Sequence, residues 1–94
     1  MSYGIKSIEL TLYARRGELE GNYLNTFELH QLLGIKQRYS KWVSNLIKAY
    51  GIRAHPVQTR KNRKEYYIHK KYLFALRDRY ERRYNVEISI KRKK

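Results

Sequence analysis

The chain has 94 residues, contains no cysteine and carries a formal net charge of +14 at pH 7. Its length predicts a single domain, residues 1–90, with one modest core that a homodimer interface could extend. The lack of cysteine excludes a disulfide framework and a thiolate metal site. No apolar run approaches the roughly 20 residues that cross a bilayer, and no leader follows Met1, so we expect a soluble, cytoplasmic protein.

The positive charge is concentrated in the part of the chain that begins at Lys36. Residues 1–35 carry three basic and four acidic side chains (net −1), whereas residues 36–94 carry 19 basic and four acidic ones (net +15). Each phosphate that Lys or Arg neutralises releases condensed counterions, so a polyanion is the natural partner of such a surface. The charge distribution therefore predicts a nucleic-acid partner.

The first element is predicted to be a strand. Apolar and polar side chains alternate from residue 5 to residue 13, with Ile8, Leu10 and Leu12 on one face. The turn-rich stretch 14–22 would then reverse the chain into a short return strand at Tyr23 and Leu24, forming a hairpin. A first helix, with apolar residues at helical spacing, is the alternative interpretation.

A short helix is predicted to follow Asn25. Asn25 stands three residues before Glu28, which is a variant of the capping box, and the apolar run after it ends at Gly34. Gly34, Ile35 and Lys36 would make a tight connection, because glycine is free to adopt a positive φ after a helix. This pattern is typical of the first half of a helix-turn-helix.

A second helix is predicted from Gln37 to Tyr50, before Gly51. Residues placed about 100° apart give one face that packs, with Tyr39, Trp42, Val43, Leu46, Ile47 and Tyr50. The other face is polar and holds Gln37, Ser40, Lys41, Ser44, Asn45 and Lys48.

The polar face of this second helix is the main candidate for a binding site. A helix fits the major groove of B-DNA, and side chains with paired donors and acceptors or a long cationic arm can contact bases there. The basic start, Lys36, Gln37 and Arg38, lies where the helix dipole favours phosphate. The alternative is an ordinary helix face exposed to solvent. That alternative would leave the preceding helix, the turn and the charge bias unexplained.

A basic hairpin is predicted next. Ile52–Thr59 and Glu65–His69 have the pattern of strands, and Pro56 argues that the first of them lies at a sheet edge. The turn between them consists of Arg60, Lys61, Asn62, Arg63 and Lys64. Such a tip can lie against a DNA backbone or insert an Arg into a minor groove, although solvation alone would also account for it.

The last predicted elements are a helix and a strand. From Lys70 onward an apolar stripe follows helical spacing. Phe74 lies off this stripe, where it would either extend the contact within the chain or meet a second subunit. The stripe is Leu73, Leu76, Tyr80 and Tyr84. The arginines of this helix are read as a solvated face rather than a second phosphate track, because acids interrupt them. Alternation at residues 86–90 predicts a strand that could pair with the N-terminal one. Residues 91–94 are predicted to form a disordered basic tail.

The sequence shows no arrangement typical of an enzyme. His30, His55 and His69 are too scattered to bind a metal and lack neighbouring acids or nucleophiles, and no Gly-rich phosphate loop is present. We therefore expect no catalytic residues, no metal and no cofactor.

Part of the sequence resembles a known family. The stretch 23–51 reads "YLNTFELHQLLGIKQRYSKWVSNLIKAYG" and matches at Glu28, Leu29, His30, Leu33, Gly34, Tyr39, Ser40 and Trp42. In these residues it resembles the N-terminal domain of AntA-type phage antirepressors, in which an "ELH..LG" helix precedes an "F/Y-S-x-W-I" helix. The basic hairpin and terminal helix that follow look instead like the winged helix of PadR-like regulators.

The chain as a whole resembles the AspA-type site-binding proteins of crenarchaeal plasmid partition, which are small winged modules without an effector domain. This resemblance implies palindrome binding, spreading along neighbouring DNA, and linkage through an adaptor protein to a ParA-type ATPase.

Together these patterns predict an α+β winged helix-turn-helix domain that binds double-stranded DNA as a homodimer. The segment from Gln37 to Lys48 would lie in the major groove, and the turn from Arg60 to Lys64 along a flanking phosphate or minor-groove track. A nucleoid- or plasmid-associated partition protein is the first hypothesis for its role. A transcriptional repressor of a mobile element is the second, and a basic RNA-binding protein is the third.

Overall fold

Two small sheets and three helices surround one core in residues 5–15 and 17–91, which are the residues that the structure describes. The structure is a computed structural model with α+β architecture. Its elements are β1 Lys6–Leu10, β2 Tyr23–Asn25, α1 Thr26–Leu33, α2 Tyr39–Tyr50, β3 Ala54–Gln58, β4 Lys64–His69, a 3₁₀ turn Lys70–Tyr72, α3 Leu73–Tyr84 and β5 Val86–Ile90. Of the predicted tail, residues 92–94 lie outside the described residues. No described helix combines the length and the apolarity that a membrane span requires.

The predicted N-terminal strand is confirmed as β1, but its predicted hairpin is wrong. β1 pairs in parallel with β5, a pairing that the alternation at residues 86–90 anticipated. The expected antiparallel contact is reduced to one isolated bridge between Tyr13 and Tyr23. Ile8 and Ile88 lie opposite each other and are almost fully buried, so the parallel pairing removes the apolar faces of both strands from water.

The second sheet has the strand order β2-β4-β3 and is antiparallel throughout. The predicted hairpin is confirmed as β3 and β4. The second strand ends at His69 as predicted, and the other three ends differ by one or two residues. β3 is an edge strand, as Pro56 indicated, because proline has no N–H to give to a further strand. β2 fills the other edge, so the short segment before α1 is fixed to the hairpin rather than to β1.

The short helix α1 begins and ends as the sequence predicted. The Oδ1 of Asn25 accepts a hydrogen bond from the N–H of Phe27 at 2.8 Å, and Gly34 ends the helix with a φ of 66°. The capping box itself is not closed. Glu28 turns away from Asn25, and its Oε1 accepts from the N–H of Thr11 at 3.0 Å, so this carboxylate ties α1 to the end of β1.

The core forms where α2 and α3 meet the two sheets. Leu73, Leu76 and Tyr80 are buried along α3, which confirms the predicted apolar stripe, whereas Phe74 is 81% exposed. Trp42 of α2 is buried against the ring of Tyr80, with 5.9 Å between the ring centroids. This packing gives α2 one fixed rotation about its axis.

Candidate nucleic-acid interface

The polar face of α2 lies at the surface of the protein. Trp42, Val43 and Leu46 are buried on the opposite side of the helix, as predicted. Tyr50 was predicted to pack, but it is 37% exposed. The exposed side chains, called the α2 polar face below, are Ser40, Lys41, Ser44, Asn45 and Lys48. They combine two cations with hydroxyl and amide groups that both donate and accept hydrogen bonds.

The prediction that Gln37 belongs to this helical face is wrong. α2 begins at Tyr39, and Arg38 is its N-cap residue, so Lys36, Gln37 and Arg38 all precede the helix. All three side chains are exposed. The physical reason is a contact with α1: His30 Nε2 lies 2.7 Å from the carbonyl oxygen of Gln37. A carbonyl only accepts, so the imidazole donates, and this bond holds the Gln37 backbone in the turn.

A buried hydroxyl network joins α1, α2 and the hairpin. Thr26 Oγ1 donates to the carbonyl oxygen of Tyr66 at 2.7 Å, and the Tyr39 hydroxyl lies 2.6 Å from the same Oγ1. Because Thr26 uses its only proton on Tyr66, the Tyr39 hydroxyl donates to Thr26 and accepts from the Tyr66 N–H at 2.8 Å. Burial raises the pKa of Tyr39, so its hydroxyl keeps the proton that this network requires. The first turn of α2 is thereby fixed relative to β4.

The tip of the hairpin is a compact turn. The N–H of Thr59 donates to the carbonyl of Arg63 at 2.8 Å, and Asn62 has a positive φ of 60°. Asparagine adopts that conformation more readily than most residues, so Asn62 shapes the turn. Its side-chain oxygen also accepts from Gln58 Nε2 at 3.3 Å. The exposed cations around this turn, called the tip cations below, are Arg60, Lys61 and Lys64.

Arg63 differs from the tip cations because its guanidinium is held against the body of the protein. Its Nη2 lies 2.8 Å from Glu65 Oε2, and its guanidinium carbon lies 3.9 Å from the centroid of the Phe27 ring. Glu65 is buried and also accepts from Asn25 Nδ2 at 2.9 Å. The sequence placed Arg63 among the DNA-binding residues, but the structure uses its charge to compensate a buried carboxylate.

These contacts also place the hairpin tip near the start of α2. The ring of Phe27 lies between the two, because it carries Arg63 on its face and meets the ring of Tyr39 edge-on, with 5.0 Å between the centroids. Phe27 therefore links the base of the hairpin tip to the first turn of α2.

A groove beside α2 contains two arginines that the sequence analysis had assigned to a solvated face. The groove has a volume of about 530 Å³ and brings residues of the turn, α2 and α3 together. Its polar lining consists of Lys36, Gln37, Asn45, Arg79 and Arg83. The acids Asp78 and Glu81, which argued against a phosphate track, do not line it.

Arg79 is partly buried in this groove. Its guanidinium carbon lies 5.6 Å from the ring centroid of Tyr50 and 5.7 Å from that of Tyr80. Its Nε is buried and has no hydrogen-bond partner among the described residues. The helical spacing of Arg79 and Arg83, which places them one turn apart, was the signal in the sequence that could have identified them.

The chain was compared with protein-family models, with curated proteins and with solved structures, and none of them matches it. Within the described residues, no group of three or more His, Asp or Glu side chains is placed to hold a metal ion. The chemistry of the site is therefore that of its exposed cations and its hydrogen-bonding side chains.

Proposed function

We propose that this protein binds double-stranded DNA as a winged helix-turn-helix module, with α2 in the major groove and the β3–β4 hairpin as the wing. The strand order β2-β4-β3 supports the proposal, because the short strand before the two helices pairs with the returning strand of the hairpin. The turn between α1 and α2 supports it too, since Gly34 and the His30–Gln37 bond give this turn a defined shape.

The observation that carries the proposal is the exposed, mixed character of the α2 polar face. Lys41 and Lys48 supply charge, and Asn45 supplies a paired donor and acceptor, on a helix whose other side is buried. Further exposed cations lie at the hairpin tip, and Arg83 lines a groove that also contains Asn45 of the α2 polar face. A surface of this composition attracts phosphates along its edges and presents groups that read bases at its centre.

The proposal is tested by DNA binding with two matched arginine variants. Arg82 and Arg83 are neighbours on α3 and both are exposed, but only Arg83 lines the groove beside α2. We expect Arg83→Ala to weaken binding to duplex DNA and to lower its salt dependence, and Arg82→Ala to leave both close to wild type. Equal effects of the two variants would contradict the proposed orientation, and a preference for structured RNA over duplex DNA would contradict the function.

We further propose that the protein binds a palindromic partition site as a homodimer and spreads on flanking DNA, with an adaptor protein linking it to a ParA-type ATPase. The resemblance to partition proteins is the support for this role. A nuclease footprint that grows beyond the site as protein concentration rises is the expected result. A footprint that saturates over one operator would instead support a transcriptional repressor.

A further inference from the structure

A second basic cavity lies at the opposite end of the three-stranded sheet from the hairpin tip. The tip follows Gln58, whereas this cavity lies where β2 and β3 begin and β4 ends, beside Tyr23, His55 and His69. Its volume is about 570 Å³, within the range of roughly 300–1,000 Å³ that small-molecule sites occupy. The residues that line it are Arg15, Tyr23, Arg53, Ala54, His55, His69, Lys71 and Tyr72.

The lining contains three cations and two imidazoles but no carboxylate. The cations are Arg15, Arg53 and Lys71, and within the described residues their charged groups form no ion pair with a carboxylate. The nearby carboxylate of Glu18 accepts from the backbone N–H of Arg15 at 3.2 Å. Three like charges around one cavity repel each other in the free protein, and the repulsion is relieved when an anion is present.

Two tyrosine rings form the apolar part of the cavity and hold the basic groups around it. The ring of Tyr23 meets the imidazoles of His55 and His69 edge-on, with centroid distances of 5.4 Å and 5.5 Å, and carries the Arg15 guanidinium at 5.6 Å. The ammonium of Lys71 lies 5.4 Å from the centroid of the Tyr72 ring. These packed rings place the basic groups before any ligand arrives.

The hydrogen bonds already present leave donors for a ligand. His69 Nδ1 accepts from the backbone N–H of Lys71 at 3.0 Å, so in its neutral form the imidazole carries its proton on Nε2. The Tyr72 hydroxyl oxygen accepts from the backbone N–H of Arg53 at 3.5 Å, which leaves its own proton to donate. Together with the three cations, the cavity therefore offers donors of the kind that phosphate oxygens accept.

We infer that this cavity binds a small phosphate-bearing anion, at a site separate from the DNA-binding surface. Guanidinium, ammonium and imidazole groups around one concavity match a phosphate with several oxygens. The cavity is a candidate for a site at which an inorganic or nucleoside polyphosphate associates with the module.

His55 provides a direct reporter of occupancy. Burial, together with the charges of Arg15 and Arg53, lowers its pKa in the free protein, while Glu18 acts in the opposite direction. A bound phosphate would favour the charged imidazole, so the pKa of His55 should rise on binding. His69 is the other imidazole in the cavity, whereas His30 belongs to α1 and serves as an internal reference.

The test is an NMR titration of the histidine side chains with inorganic pyrophosphate, in the absence of DNA and at constant ionic strength. The His55 and His69 signals should move together, those of His30 should stay in place, and the pKa of His55 should rise. A parallel titration with ATP distinguishes the sources of the phosphate: tighter binding of ATP indicates a nucleotide, and equal binding indicates that the polyphosphate alone is recognised.

Neighbouring lysines supply the matched control. Lys71 lines the cavity, whereas Lys70 is exposed and does not. Lys71→Gln should weaken pyrophosphate binding by about tenfold, which is the loss expected for one charge-assisted hydrogen bond, and Lys70→Gln should leave it unchanged.

Three results would overturn the inference. One is the absence of any shift of His55 and His69 at pyrophosphate concentrations up to about 1 mM. Another is an equal loss in the two lysine variants, which would indicate general charge attraction. The third comes from a separate titration with duplex DNA: a shift of His55 and His69 that DNA causes and pyrophosphate does not would assign the cavity to the DNA surface. Because the pyrophosphate titration contains no DNA, its outcome is independent of the proposed DNA binding.

Discussion

The α2 polar face and the hairpin tip are both basic and exposed, but they differ in what they can recognise. The α2 polar face mixes Lys41 and Lys48 with hydroxyl and amide groups on a helix that is packed on its other side. The tip offers Arg60, Lys61 and Lys64 on a turn shaped by Asn62. Groups that donate and accept in pairs discriminate between bases, whereas cations on a turn mainly neutralise phosphates.

Positive charge in the sequence does not by itself determine the surroundings of a side chain. Arg63 belongs to the same turn in the sequence, yet its charge compensates Glu65 and its guanidinium packs on Phe27. Arg83 belongs to a helix whose arginines are interrupted by acids in the sequence, yet it lines the groove beside α2. The role of each cation follows from the side chain that it meets.

The largest effect is expected from removing the buried ring that packs α2 against the core. Trp42→Ala should lower the free energy of unfolding by about 3–5 kcal/mol, because a buried ring between His30 and Tyr80 is removed and a cavity remains. Chemical denaturation of the variant and the wild type measures this difference. Unchanged stability would mean that Trp42 lies at the surface. The rotation of α2 about its axis, and with it the assignment of the α2 polar face, would then be wrong.

The next largest effect distinguishes base contacts from phosphate contacts made by the side chains of α2. Lys41→Ala and Asn45→Ala should each cost about 1–3 kcal/mol at the preferred DNA site and less on random duplexes, if these side chains contact bases. Competition binding with both kinds of DNA gives the difference. Gln37→Ala is a useful comparison, because Gln37 precedes the helix and should have a smaller effect on sequence preference. Equal losses of binding free energy on all sequences would indicate that these side chains contact only phosphates.

Two arginine variants test whether Arg63 stabilises the fold and Arg60 does not. Arg63→Ala should lower the free energy of unfolding by about 1–2 kcal/mol, because buried Glu65 loses its charged partner and keeps the bond from Asn25. Arg60→Ala should change it by less than about 0.5 kcal/mol, as is usual for an exposed side chain. Thermal or denaturant unfolding measures both. If Arg60→Ala were the more destabilising, the distinction between the two arginines would be wrong.

The smallest effect is expected from one tip cation. Lys61→Ala should weaken DNA binding to a similar extent on every sequence and reduce the slope of log affinity against log salt by about 1. Affinities measured at several salt concentrations provide the slope. A change in sequence preference would show instead that the tip takes part in base recognition.

Local patterns predicted the elements of this fold well, because their causes lie within a few residues. The side chain of Asn25 caps α1, Gly34 ends it, and the alternation around Ile8 gives a strand. The start of α2 was predicted two residues too early, because the bond between His30 and the Gln37 carbonyl depends on the way in which α1 and the turn fold together.

The candidate site was predicted in part for the same reason. The exposed residues of α2 followed from helical periodicity, since the buried side of the same helix was evident from its apolar stripe. The position of Arg83 in the groove and the packing of Arg63 on Phe27 did not follow, because each depends on a distant part of the chain. The second basic cavity likewise combines Arg15, Arg53 and Lys71 from separate segments.

By itself, the sequence determined where the charge lies, which segments are helices or strands, and which face of each helix is apolar, because these properties depend on composition and short-range spacing. The tertiary structure decided that β1 pairs with β5 and that the cations divide into exposed, compensated and cavity-lining groups. Pairing and compensation are contacts between residues far apart in the chain. The chain adopts the strand pairing and the charge contacts that bury its apolar faces and leave each charge hydrated or paired.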